Sequence, residues 1–381
     1  MRTAPVRVGL VGCGDIARTY LRLAPSFGDI EIVACADLNP EAARARAAEH
    51  GLTALSVESL LAQGDIDVVA NLTPPRAHFA VAHAAVSAGK HVYCEKPVVS
   101  SLQEATALAQ AADAHGVRVG AAPDTFLGGA HQRARQLVDN GILGRITSGT
   151  AHMMGRGMEH WHPNPAFFFQ AGAGPVLDMG PYYVTQLVHL LGPVEQVVAL
   201  GNRGRSQRTV LSEPRAGEVI PVETPTTVHA VLGFASGAVV TLGTSWDVQH
   251  HSHLPMELYG EHGSLTLPDP NFFGGAIVLC TDRHPTGQRL AIEHPLAVEN
   301  EADAADQPRA NYRGVGLADM ASAIRQNRPH RCTLALATHV LEVLLAIQTA
   351  TENGDTVHVS TSCGRPIALS ANAATELLRP R

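Results

Sequence analysis

The sequence predicts an α/β protein, with a parallel sheet at the front of the chain and a separate α+β region behind it. Three observations carry that prediction. Short runs rich in Val and Ile alternate with alanine-rich segments of helical spacing through residue 125. A glycine turn, Gly12-Cys13-Gly14, directly follows the first run. Beyond Pro123 the alternation gives way to successive strand patterns.

The apolar runs are Val6–Gly12, Glu31–Asp37, Ile66–Thr73, His91–Lys96 and Val117–Ala122. Their near-continuous apolar character fits strands covered on both faces. Between them lie Pro40–Glu49, Pro75–Ala88 and Leu102–His115, with apolar residues at helical spacing. Strands alternating with helices of this length indicate βαβ units. In the second region a helix is expected over Ala130–Asn140 and a strand over Ile146–Met154. A loop dense in Gly, Pro and aromatics follows at Gly155–Pro175, and then a helix over Val176–Leu191, stopped by Gly192-Pro193. Val228–Phe234 and Ala238–Thr244 read as a hairpin through Ser236-Gly237, and Met256–Tyr259 with Ser264–Leu267 repeat the theme. Helices return at Gly316–Gln326 and Thr338–Glu352. The polar stretches Arg203–Pro225 and Val298–Arg309 read as mobile loops. The expected division is 1–125 for the first domain and 126–381 for the second.

Composition narrows the function. A chain of 381 residues with 45% hydrophobic and 17% charged side chains builds sizeable cores rather than remaining disordered. A net charge of −7 leaves no electrostatic footprint for nucleic acid. No uninterrupted apolar run reaches the length of a membrane span, so no membrane partner is expected. Six cysteines without a CxxC pair point to a reduced, cytoplasmic protein rather than a disulfide scaffold or zinc module. Lys90 and Lys96 are the two lysines in a chain that otherwise uses arginine.

Gly12-Cys13-Gly14-Asp15-Ile16-Ala17 opens a helix directly after a strand. The first glycine permits the tight turn, the second admits a pyrophosphate, and the small Ala17 lets helix and strand pack closely. Asp37 ends the second strand twenty residues after Ala17, where a carboxylate can hold an adenosine ribose diol. That carboxylate would repel a 2′-phosphate, and Leu38-Asn39 offers no arginine to attract one, so NAD is favoured over NADP. Neither lysine completes a YxxxK pattern, and the scattered cysteines do not suit a zinc alcohol dehydrogenase. Lys96, in His91-Val-Tyr-Cys-Glu-Lys-Pro97, ends the fifth strand, where ligands of open α/β sheets gather. Its amine can lose a proton where a guanidinium cannot; an ordinary ion pair with Glu95 is the alternative. Asp178 and Tyr182 share a helical face with Thr185 and His189. A carboxylate and a phenol working with a lysine form a plausible proton-transfer set.

Together, Gly12–Ala17, Asn71-Leu-Thr-Pro-Pro75 with His78, Ala88-Gly-Lys-His-Val92, Glu95-Lys-Pro97 and Asp178-Met-Gly-Pro-Tyr182 resemble the glucose–fructose oxidoreductase/inositol dehydrogenase/rhizopine-catabolism (Gfo/Idh/MocA) family. The resemblance covers nearly the whole chain. It implies an N-terminal Rossmann domain and a C-terminal domain whose large, mostly antiparallel open sheet builds homodimers or homotetramers. It also implies hydride transfer at a secondary alcohol of a sugar or polyol, with Lys96 as the catalytic lysine and a cis bond to Pro97. By resemblance Asp15, Ile16, Thr73, Pro74, His78 and Glu95 join Gly12, Gly14, Asp37 and Lys96 around the cofactor. The family helix often places histidine where this chain has Tyr182, so the phenol becomes the expected acid/base.

Trp161 and His162 either contact a sugar or anchor their loop. Phe167–Phe169 are expected in loop core, and Asp124 is a further substrate candidate. His250, His251 and His253 lack a fixed carboxylate or thiolate partner, so no metal is expected. Two rivals remain: a dinucleotide-binding regulator without chemistry, and a glycosidase that oxidises its sugar transiently while retaining NAD.

Overall fold

Six parallel strands form the first sheet of the computed structural model, which describes residues 4–303 and 306–379. They are β1 (Val6–Val11), β2 (Ile30–Ala36), β3 (Thr53–Leu55), β4 (Val68–Asn71), β5 (His91–Cys94) and β6 (Val119–Ala121), in the order β3-β2-β1-β4-β5-β6. The interleaved helices are α1 (Asp15–Leu23), α2 (Pro40–His50), α3 (Val57–Ala62), α4 (Pro75–Ser87) and α5 (Leu102–His115). This is the doubly wound arrangement, and its strand order reverses between β1 and β4. The continuously apolar runs are buried as expected: Val8, Leu10, Val68, Val69, Val92 and Tyr93 are all inaccessible or nearly so. β3 and α3 go beyond the sequence expectation.

The second sheet has nine strands. After α6 (Gly129–Asp139) come β7 (Ile146–Met154), α7 (Pro175–Leu191), β8 (Val194–Asn202), β9 (Gln207–Thr209), β10 (Val219–Pro221), β11 (Thr227–Phe234), β12 (Val239–Ser245), β13 (Met256–Gly260), β14 (Gly263–Leu267), β15 (Val278–Thr281) and β16 (His284–Arg289). With β19 (Val357–His358), the large sheet runs β16-β15-β14-β13-β7-β12-β11-β8-β19. Only the β7/β12 pairing in it is parallel. Both expected hairpins form, β11/β12 and β13/β14. α7 lies against the face that carries the buried Val228, Ala230, Leu232, Val240 and Leu242.

Both stretches read as mobile loops contain structure. Within Arg203–Pro225, β9 and β10 pair, and Val210, Ile220 and Val222 form a small core with Phe169 and Trp246. Within Val298–Arg309, β17 (Glu301–Ala302) pairs with β18 (Pro308–Arg309); residues 304–305 lie outside the described residues.

The remaining helices are α8 (Val315–Gln326), α9 (Leu334–Asn353) and α10 (Ala371–Leu377). α9 is apolar and long enough to cross a membrane by length and composition, yet polar residues interrupt it and Val343, Leu344 and Ile347 are buried. All six cysteines are free thiols.

The chain divides into two compact units, and not at the expected 125/126 cut. One unit takes the chain up to Gln132, returns for Glu293–Leu341 and returns again from Pro366. The other comprises Arg133–Ile292 and Glu342–Arg365. Long-range bonds explain the difference. Ala121 N–H donates to the Cys332 carbonyl at 3.1 Å, Arg325 pairs with Asp29, and Gly28 N–H donates to the Leu377 carbonyl at 2.9 Å.

Candidate functional site

In the first unit, the glycine turn sits where the strand order reverses. Gly12 has φ +100°, and a Cβ there would lie 2.6 Å from the Leu72 carbonyl carbon and oxygen. Only glycine combines that conformation with so close a neighbour. Gly14 has open space where its Cβ would be, and it precedes α1, whose first residues Asp15 and Ile16 present unpaired-end N–H groups of the helix start. Asp37 follows β2 directly. Its Oδ2 accepts from Cys13 N–H and its Oδ1 from Asn39 N–H, both at 2.8 Å. An open glycine cradle, a helix start and a carboxylate bonded to the same turn fit a dinucleotide.

Two further loops belong to this unit. Leu72–Pro74 follows β4, with Thr73 half-buried and Pro74 exposed. Glu95-Lys96-Pro97 follows β5, and the Lys96–Pro97 bond is cis, as the resemblance implies. Glu95 serves this loop: Oε1 accepts from the Tyr20 hydroxyl at 2.9 Å and Oε2 from Lys96 N–H at 3.0 Å. Burial and the Glu95 carboxylate hold the Tyr20 phenol well above its ordinary range, so it stays a donor. The expectation that His78 touches the cofactor is corrected, because its side chain is fully buried. Its ring faces the Thr73 and Pro97 carbonyls instead. The two lysines separate cleanly. Lys90 is buried, and its Nζ donates to the Gln63 and Ile66 carbonyls at 2.5 and 2.8 Å, a structural tie; Lys96 remains half-exposed.

Asp124 is not a substrate residue. It is buried, and its Oδ2 accepts from Gly314 and Gly316 N–H at 2.8 and 3.1 Å, closing the start of α8. Burial pushes its carboxyl up to about 6, against the opposing pull of those two N–H groups and Arg313.

In the second unit, α7 begins after Gly174 with Pro175 in its first turn, a position that needs no N–H. Gly180 is required by packing: a Cβ there would lie 2.6 Å from Leu344 Cδ2 on α9. Asp178 is half-buried and Tyr182 nearly buried, one helical turn apart. His189, on the same face, is fully buried with its Nδ1 3.2 Å from an Arg135 Nη1. An arginine can only donate, so that nitrogen is an acceptor inside a packed core and His189 is no rival base.

The loop before α7 is gripped by the β9–β10 segment. Arg208 is 4% exposed. It donates to Glu159 Oε1 at 2.5 Å, to the Arg156 and Trp246 carbonyls at 3.1 and 3.0 Å, and to Asp247. Its guanidinium lies over the Phe169 ring, 5.2 Å from the centroid. Ser212 Oγ donates to the His162 carbonyl at 2.5 Å. His162 Nδ1 accepts from Asn164 N–H at 3.0 Å, and its ring meets Trp161, Phe167 and Phe168 edge-on. His162 is therefore an anchor of its loop, whereas Trp161 is 64% exposed. Phe169 lies in the core as expected, and Phe167 does not. Sequence reasoning missed Arg208 altogether; the one available signal was an arginine within three residues of apolar Val210.

Two family models match this chain. The oxidoreductase-family NAD-binding Rossmann fold matches residues 6–122, and the GFO/IDH/MocA C-terminal domain matches residues 131–266. A 1,5-anhydro-D-fructose reductase from Ensifer adhaerens is 30% identical over 266 residues, covering 68% of this chain and 74% of that protein. The chain belongs to the Gfo/Idh/MocA family of oxidoreductases. An uncharacterized oxidoreductase from Schizosaccharomyces pombe is 26% identical over 57% of this chain, and the match spans 63% of that relative's length. Among solved structures, levoglucosan dehydrogenase in complex with NADH and L-sorbose superposes with a TM-score of 0.79 at 22% identity, covering 94% of this chain and 100% of that one. At that identity the likeness speaks for the fold.

Proposed function

We propose that this family member prefers NAD and oxidises a secondary alcohol of a sugar or polyol. The observation that carries the cofactor reading is the Asp37 carboxylate at the end of β2, bonded to the glycine turn. A carboxylate there favours a free ribose diol and opposes a 2′-phosphate. Arg46, the cation that reaches the turn, is buried and paired with Glu49 at 2.5 Å, which supports the same preference. The sugar reading is supported by the relatives, one named as an anhydro-sugar reductase and one solved with L-sorbose.

Bound NAD would supply the hydride acceptor. In this reading Tyr182 takes the proton of the substrate hydroxyl, Lys96 supplies a titratable amine, and Asp178, one turn before Tyr182, orients the phenol. Trp161 offers an exposed indole to the C–H face of a sugar. We further propose a homo-oligomer, built on the open sheet face where Val198, Leu200, Val231 and Val239 are exposed, and a reducing, cytoplasmic setting for the six thiols.

The test is a panel of sugars and polyols, offered with NAD and with NADP, followed by NADH absorbance. Lys96→Arg should keep NADH binding while turnover falls by roughly a hundredfold, the range for a lost acid–base group. Near-normal turnover in that variant removes Lys96 from the chemistry. Absence of turnover with every substrate would favour a regulator. Glycoside cleavage without net NADH would favour transient oxidation.

A further inference from the structure

We propose that His78 is a positioning residue that joins the two loops flanking the nucleotide site by donating from both ring nitrogens at once. This rests on the NAD-dependent reading above and deepens it, because one of those loops ends in Lys96-Pro97.

His78 lies in the first turns of α4 with its side chain fully buried. Nδ1 is 2.6 Å from the Pro97 carbonyl oxygen and Nε2 is 2.7 Å from the Thr73 carbonyl oxygen. Carbonyl oxygens only accept, so each contact needs an N–H on the ring. A neutral imidazole has one; only a ring carrying both protons satisfies both partners. Such a ring, buried at the start of a helix, is unfavourable on its own. Its presence is accounted for by what it connects.

The remaining bonds turn that link into a closed frame. Asn71, also fully buried, ends β4. Its Nδ2 donates to the His78 carbonyl at 2.9 Å, and its Oδ1 accepts from Thr73 Oγ1 at 2.7 Å. Asn71, Thr73 and His78 thus fix the Leu72–Pro74 loop from three sides. The Pro97 bond carries the frame across to the next loop, where Glu95 already holds the Lys96 N–H. A shift of either loop strains a shared ring, so cofactor seating and lysine placement are set together.

The test reads the ring first, in the free protein. In histidine-labelled 15N spectra, signals that vanish in His78→Gln should comprise two ring N–H groups; a single N–H overturns the double donor. The second reading is binding. NADH titrated against wild type, His78→Gln and His78→Leu should bind roughly tenfold or more weakly to both variants, the scale of a lost charge-assisted hydrogen bond. For any sugar the wild type turns over, kcat should also fall, which a purely structural residue would not require. Affinity within twofold of wild type, with unchanged kcat, overturns the proposal. If His78→Leu does not fold, the ring spectrum and the glutamine variant decide. Should wild type itself fail to bind NADH, the nucleotide reading falls, while the two N–H signals report separately on the ring.

Discussion

The Asp37 carboxylate and the Cys13 backbone N–H are joined by a 2.8 Å hydrogen bond, so the residue that would read the ribose also shapes the turn that would hold the pyrophosphate. Substitution can separate those two duties. Asp37→Asn keeps an acceptor for Cys13 but loses the charge; Asp37→Ala loses both. Asparagine should narrow the NAD preference with modest loss of affinity, and alanine should weaken NAD by roughly tenfold or more. Titration of both nucleotides against all three proteins measures this. Wild type binding NADP at least as tightly as NAD would refute the reading of Asp37.

Asp124 makes stability depend on pH in a calculable direction. Burial raises its folded-state value to about 6, whereas an unfolded aspartate titrates near ~3.9. Between those values the folded state binds more protons than the unfolded state, so stability falls as pH rises. The contribution is fully present below about 4 and lost above about 6. Asp124→Asn keeps an oxygen for the Gly314 and Gly316 N–H groups and removes the titration. Relative to that variant, wild type should lose on the order of 3 kcal/mol between those limits. Denaturation midpoints measured across the window check it, and parallel profiles for the two proteins would show that Asp124 does not titrate there.

Arg208 carries a larger structural load. Arg208→Met leaves the Glu159 carboxylate, 4% exposed, without its cation, which should destabilise the second unit by about 3–5 kcal/mol. Adding Glu159→Gln and Asp247→Asn should restore part of that loss. Both tryptophans report on it, since Trp246 packs against Phe168 and Phe169 while Trp161 rides on the gripped loop. Denaturant unfolding followed by tryptophan emission measures the effect. An unchanged midpoint would mean that the ion cluster adds nothing.

What was legible in the chain follows the reach of the interactions. Five of the six parallel strands and most helices declare themselves through runs of apolar residues, because their burial is decided locally; β3, three residues long and not buried, does not. Gly12, Asp37 and Lys96 sit in contiguous motifs, so their places just beyond β1, β2 and β5 are legible too. Arg208 was not, because the acids that neutralise it lie 49 and 39 positions away. Asp124 escapes sequence reading for the same reason: the N–H groups it serves, at the start of α8, are 190 and 192 positions distant. A buried polar side chain is betrayed by its partners, and those partners are remote.

The proposed chemistry turns on Tyr182. It stands on α7 one turn after Asp178, at the position where the family often has histidine, and its side chain is 8% exposed. Phenylalanine keeps the ring and its packing while removing the one group on it that exchanges a proton. Tyr182→Phe should therefore leave melting behaviour and NADH affinity nearly unchanged, while alcohol oxidation drops by roughly a hundredfold or more. Two histidines could have taken the role. His189 has its Nδ1 against Arg135 inside the core, and His162 has its Nδ1 filled by Asn164 N–H. In each ring Nδ1 is thus already engaged as an acceptor within the protein. His162→Ala should accordingly loosen the loop and raise KM more than it lowers kcat. The opposite pattern, with oxidation surviving in Tyr182→Phe and abolished in His162→Ala, would transfer the proton to the imidazole and leave the nucleotide half of the site untouched.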